Sequence, residues 1–130
     1  MFIDANIFLE IALKDTNYQK CVEFIKNILK NNKNIYTSDF IVYSCLLILH
    51  NKLNSYIKMK DFLVFVNSSN ISILRPSLKA MYDTIDFMKR YRLDFNDSLI
   101  IGCMLENNIK CLVSYDKHFD KVKEIEVIRP

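Results

Sequence analysis

Three aspartates in this chain close or follow apolar runs: Asp4 in MFIDANIF, Asp97 in RLDFNDSLI and Asp116 in KCLVSYDKHF. A carboxylate rarely sits against such neighbours without compensation, because taking a charge out of water is costly. If the three meet in the fold they also repel one another, and a divalent cation relieves both penalties. An all-oxygen donor set suits Mg2+ or Mn2+. Bound there, such an ion lowers the pKa of a coordinated water and shields charge developing on phosphoryl oxygens, which is the chemistry of a metal-dependent hydrolase.

Each aspartate also has an ordinary structural role open to it. Asp4 and Asp97 can cap helices, and Asp116 can close a turn before Lys117 and His118. His118 reads as surface-facing, with Phe119 anchoring its segment in the core. Ser44 and Cys45 have no accompanying histidine pattern to activate a nucleophile. Gly102 is the only glycine, which excludes a phosphate-binding glycine loop. A phosphatase of the DxD kind, with Asp4 as nucleophile, lacks its second aspartate, because Asn6 stands there.

The elements that must hold these residues alternate in type. Residues 1–4 read as a short buried strand and 5–13 as a helix, with Asn6 placed to cap it or to reach the site. Residues 17–31 carry Val22, Ile25, Ile28 and Leu29 at helical spacing. Asn31, Asn32 and Asn34 mark a turn before a strand at 35–37. Ser38 or Asp39 starts a helix running to about residue 52. A helix at 55–67 and a strand at 71–74 follow, and Ser77 caps a helix over 78–91. Residues 96–107 predict a helix with Asp97 in its first turn, and 110–114 and 125–128 the last strands. Strands alternating with helices, without two-residue hairpins, predict a parallel sheet covered on both faces. In such a sheet, functional groups gather beyond the carboxyl ends of the strands, where the strand order switches. Asp4 and Asp116 lie at or just past two strand ends, and Asp97 starts the helix leading into one of those strands.

Bulk properties agree with a single domain over residues 1–130. A composition of 51% hydrophobic and 25% charged residues excludes a disordered chain. One glycine and two prolines argue against a many-turned β-sandwich. The net charge of +3 permits nucleic-acid contact without demonstrating it. Lys14, Lys20, Lys26, Lys30 and Lys33, and a second group of Lys52, Lys58 and Lys60, read as solvated faces. Cys21, Cys45, Cys103 and Cys111 form no CxxC pair, and the last three suit core positions. Reduced thiols in a cytoplasmic protein are the expectation, and no window reaches the apolar length of a membrane span. Tyr36, Phe40, Tyr43, Phe62, Phe65 and Phe87 are assigned to the core.

In their order and spacing, MFIDANIFLE, YTSDFIVYSCLLIL, LDFNDSLIIGCMLENN and CLVSYDKHFDKV resemble the PIN domain, including toxin nucleases of the VapC kind. The resemblance implies a three-layer α/β/α fold around a parallel sheet of about five strands. It implies that Asp4, Asp97 and Asp116 bind one or two Mg2+ or Mn2+ ions and act catalytically on RNA. Asn6 and Ser114 would orient water or the scissile phosphate, and Lys117 and Arg92 would hold flanking phosphates. One position departs from the pattern: Ser44 stands where the family carries a glutamate, which removes a charge and should weaken metal affinity. Asp39, Glu10 and Asp94 are candidate substitute acids, whereas a one-residue shift of register offers only Tyr43 or Cys45. The reading is a metal-dependent endoribonuclease, the toxin of a toxin–antitoxin pair, with a small antitoxin and a second copy as partners. The alternative is a PIN-like module that binds RNA or protein with weak or absent catalysis because of Ser44.

Overall fold

The structure is a computed structural model and describes residues 1–31 and 33–130. Asn32, one of the three asparagines expected to mark a turn, lies outside the described residues. Five short strands, β1 (Phe2–Ile3), β2 (Tyr36–Ser38), β3 (Ser72–Leu74), β4 (Cys111–Val113) and β5 (Glu126–Ile128), pair in parallel in the order β3-β2-β1-β4-β5. Six helices connect them: α1 (Ala5–Leu13), α2 (Tyr18–Lys30), α3 (Asp39–Leu53), α4 (Tyr56–Ser68), α5 (Leu78–Tyr91) and α6 (Phe95–Glu106). This is the α/β architecture with a five-stranded parallel sheet that the sequence predicts.

The direction of each crossover decides where the helices lie. From β1 through α1 and α2 to β2, and onward through α3 and α4 to β3, the chain moves one way across the sheet. The path from β3 through α5 and α6 to β4, and then to β5, runs the other way. Right-handed crossovers therefore put α1 to α4 on one face and α5 and α6 on the other. The packing agrees, with α1 against α2 and α3, α3 against α4, and α5 against α6. The reversal falls between β1 and β4, so the switch in strand order lies at the carboxyl ends of those two strands.

Local signals explain the boundaries. Ser38, Ser55 and Ser77 cap α3, α4 and α5 through hydrogen bonds from backbone N–H groups. Asp94, not Asp97, caps α6, so that helix starts at Phe95, one residue before its expected start. Tyr36–Ser38 forms the second strand, one residue later than predicted. A five-residue 3-10 turn at Lys117–Lys121, too short to announce itself by periodicity, completes the β4–β5 link.

The core is built from Phe2, Ile3, Ile7, Phe8, Leu49, Ile101, Met104, Leu112, Val113 and Phe119, all fully enclosed. Phe62 is buried, and Tyr36, Phe40, Phe65 and Phe87 pack partly against that core. Tyr43 does not, being 61% exposed on α3, because its neighbours Val42 and Cys45 take the inward-facing positions. Cys21, Cys45 and Cys103 are buried free thiols, and Cys111 is only half-buried. Among the described residues, no helix is long and apolar enough to cross a membrane.

Candidate functional site

The parallel register brings residues 110 positions apart to the same level. Ile3 pairs with Val113, so Asp4 and Ser114 are the next residues out at the strand ends. Ser114 Oγ donates to Asp4 Oδ2 at 2.7 Å and accepts from Asn6 Nδ2 at 2.9 Å and from the Asp116 N–H at 3.0 Å. A hydroxyl offers one donor and two acceptor positions, and Ser114 uses all of them in a fully buried place. In this arrangement the Ser114 hydroxyl fastens Asp4, Asn6 and Asp116 together. Asn6 is similar. Its amide donates to Asp4 and Ser114, and its carbonyl oxygen accepts from the Tyr115 N–H.

Asp4 lies on the floor of the site, 7% exposed. Its Oδ1 accepts from the Ala5 N–H at 2.6 Å and its Oδ2 from Asn6 and Ser114. The capping role and the site position thus coexist in one side chain. Burial pushes its carboxyl above the usual range, with the Ser114 and Ala5 hydrogen bonds opposing and the Asp116 charge adding to the rise.

Asp97, in the first turn of α6, faces the same basin from the other layer. Its carboxyl is pushed up to about 6, first by burial and then by the charges of Asp94, Asp116 and Asp4, while His118 acts the other way. The neighbouring carboxylates thus repel one another across the basin, and His118 offsets part of that repulsion. Asp116 begins the 3-10 turn and accepts from the His118 N–H at 2.8 Å.

The basin holding these groups is lined by Asp4, Asn6, Phe40, Ser44, Asp94, Asn96, Asp97 and Asp116. The structure thus brings the three sequence-derived aspartates together, and Ser44 faces them from α3. The Ser44 hydroxyl donates to the Phe40 carbonyl at 2.8 Å, leaving only its lone pairs toward the basin. Of the substitute acids, Asp94 alone lines the basin. Glu10 is turned to the α1–α2 corner, where it accepts from the Asn17 N–H at 2.7 Å and from the Asn17 side chain. Asp39 caps Phe40 at 2.8 Å and lies 3.8 Å from Arg75 Nε, outside the basin.

Sequence reasoning missed the position of His118. Its side chain is 71% exposed, as expected, yet Nδ1 lies 3.3 Å from Asp116 Oδ1 and 3.7 Å from Asp97 Oδ2. Among the described residues, Asp97, Asp116 and His118 form the one group whose ligand atoms all fall within 4.8 Å of one another. Two carboxylates and an imidazole at that spacing are a donor set that fits a divalent ion. The available signal was the spacing in DKHF, since a tight turn returns residue i+2 to the carboxylate that caps it.

Comparison with known proteins agrees with the fold. The fold is similar to that of VapBC2 from Rickettsia felis, whose structure was determined with a promoter DNA fragment, at a TM-score of 0.81 and 15% identity over 98% of this chain and 96% of that one. Mycobacterium tuberculosis VapC20, a Sarcin-Ricin loop cleaving toxin, matches with a TM-score of 0.79 and 13% identity, covering 99% of this chain and 98% of its own. VapBC-1 from nontypeable Haemophilus influenzae matches at 0.73 and 13% identity, over 98% and 96% of the two chains. No sequence relative was found among curated proteins. The family model of the PIN domain matches residues 1–125, and the chain belongs to the PIN domain family.

Proposed function

We propose that this protein is a divalent-metal-dependent endoribonuclease of the PIN type and the toxin of a toxin–antitoxin pair, acting in the cytoplasm. The observation that carries the reading is the convergence of Asp4, Asp97 and Asp116 on one basin at the β1/β4 switch. Family membership and the neighbouring VapC and VapBC structures support it. The solved neighbours include a toxin–antitoxin complex from Klebsiella pneumoniae, which makes a small antitoxin the expected protein partner, with a second copy of this chain as the other.

Asp4, Asp97 and Asp116 would hold an Mg2+ or Mn2+ ion, directly or through bound water, and the ion would supply an activated water and charge neutralisation at the scissile phosphate. The remaining work belongs to the protein. Ser114 and Asn6 hold Asp4 and the start of the Asp116 turn rigid, so the acids meet the substrate in one arrangement. Asp94 fixes the first turn of α6 through the Asp97 N–H at 2.8 Å, which aims Asp97 into the basin. Exposed Lys117 and Arg92 stand beside the acids in sequence and would hold flanking RNA phosphates.

A second reading, RNA or protein binding with weak or absent cleavage, is favoured by Ser44, a neutral group on the basin wall. Cleavage of a mixed RNA pool in Mg2+ or Mn2+, beside Asp97→Asn and Ser44→Glu, separates the two. The nuclease reading expects metal-dependent cleavage, lowered by about 10–100-fold or more in Asp97→Asn and raised in Ser44→Glu. RNA binding without cleavage at any metal concentration selects the second.

A further inference from the structure

The basin has fewer free anionic donors than its residue list suggests. Asp4 has committed Oδ2 to two hydrogen bonds and Oδ1 to a third. Ser44 brings no charge. That leaves Asp94, Asp97 and Asp116 as the carboxylates with an oxygen free on the basin, and the last two have a third ligand atom beside them. His118 Nδ1 is 3.3 Å from one carboxylate oxygen and 3.7 Å from the other.

These separations are close to the edge of a coordination polyhedron. Neighbouring donors on an octahedral ion with bonds of about 2.1 Å lie about 3 Å apart. Phe119, fully buried, pins the 3-10 turn, and the His118 N–H bond to Asp116 fixes the backbone beneath the ring. All three ligand atoms lie within 4.8 Å of one another.

Resting on the reading of this basin as a divalent-ion centre, we propose that His118 Nδ1 is a third ligand beside Asp97 and Asp116, taking over part of the role left by the absent glutamate. We further infer that the nitrogen donor makes the site select Mn2+ over Mg2+. Mg2+ favours oxygen donors and sheds water reluctantly, whereas transition-series ions gain from imidazole nitrogen. A competing role for the same ring is an imidazolium that neutralises the two carboxylates and occupies the place of the ion. In that role His118 opposes metal binding.

The two roles give opposite results for the full, untagged chain with metal alone. Titration calorimetry with Mn2+ and with Mg2+, at neutral to mildly alkaline pH and without RNA, compares the parent protein with His118→Ala and Asp97→Asn. Loss of His118 should weaken Mn2+ by about 10–100-fold while changing Mg2+ much less, and loss of Asp97 should weaken both. Pulsed electron paramagnetic resonance of bound Mn2+ should show modulation from a coordinated nitrogen that disappears in His118→Ala. That signal is assignable, because the other histidine is His50, which lines a separate apolar depression with Tyr43, Leu46, Leu47 and Met59. No nitrogen modulation in the parent protein, equal weakening of both ions, or tighter binding in His118→Ala overturns the proposal. If the parent binds both ions and His118→Ala changes nothing, only the ligand assignment falls. If it binds neither, the metal-centre reading falls with it.

Discussion

A buried hydroxyl that donates once and accepts twice is a joint rather than a reagent, and Ser114 is placed so that its loss disturbs three partners. Ser114→Ala leaves Asp4 Oδ2 with one hydrogen bond fewer and strands the Asp116 N–H. The expected loss is about 1–3 kcal/mol of folding stability, read from the denaturant midpoint at unchanged slope. Asp97 carries a pH dependence whose sign follows from its raised carboxyl. The folded chain keeps that proton between the ordinary value of 3.8 and about 6, where the unfolded chain has released it. Stability from this group is therefore complete below about pH 3.8 and is lost as pH rises through about 6. In chelator, the melting temperature should fall across that interval more steeply for the parent than for Asp97→Asn. Added Mn2+ should raise the melting temperature more at pH above that interval than within it. Equal metal shifts throughout would remove Asp97 from the metal site.

Helices α5 and α6 approach closely because Gly102 has no side chain. A Cβ there would lie 2.9 Å from the Ala80 carbonyl oxygen and 2.9 Å from Thr84 Oγ1. The Thr84 hydroxyl also donates to that carbonyl at 2.8 Å, so the obstruction is a hydrogen-bonded backbone group and not a mobile tip. Gly102→Ala gains helix propensity of about 1 kcal/mol, yet overpacking typically costs about 1–3 kcal/mol. A net loss is expected because backbone must move. Since α6 carries Asp97, the same substitution should lower metal affinity, measured by calorimetry, alongside the melting temperature. A more stable protein would show that the two helices separate easily.

Across the whole molecule, polar groups crowd the carboxyl edge of the sheet while large apolar side chains remain uncovered elsewhere. On α5, Leu78 and Tyr82 are 84% and 72% exposed, and Met81 and Ile85 continue the same stripe. Spacing of i, i+3, i+4 and i+7 is that of a helix face meeting a partner. The homodimer proposed above would bury this stripe. Sedimentation equilibrium should then give twice the chain mass of 15.4 kDa, and Leu78→Lys with Tyr82→Lys should return it to one. A single-chain mass for the parent protein would refute the dimer.

Periodicity, serine caps and the absence of hairpin signals were enough to read the alternation of strands and helices, because those signals are local. Three aspartates at strand ends and a helix start were legible for the same reason, whereas Ser44 drew notice only through the family resemblance. What each side chain does depended on partners far away in the chain. Asp4 and Ser114 meet because β1 and β4 are adjacent and in register, which no local pattern encodes. Distant pairings engage Ser114 with Asp4 and Asn6 with Ser114 and Tyr115, whereas local bonds turn Glu10 toward Asn17 and Asp39 toward Phe40. His118 and Asp97 approach across the boundary between the α6 and β4 connections, so their proximity belongs to the tertiary structure alone. Sequence determines which groups can ionise, cap or coordinate; the meeting of strand ends decides which share an ion-sized space.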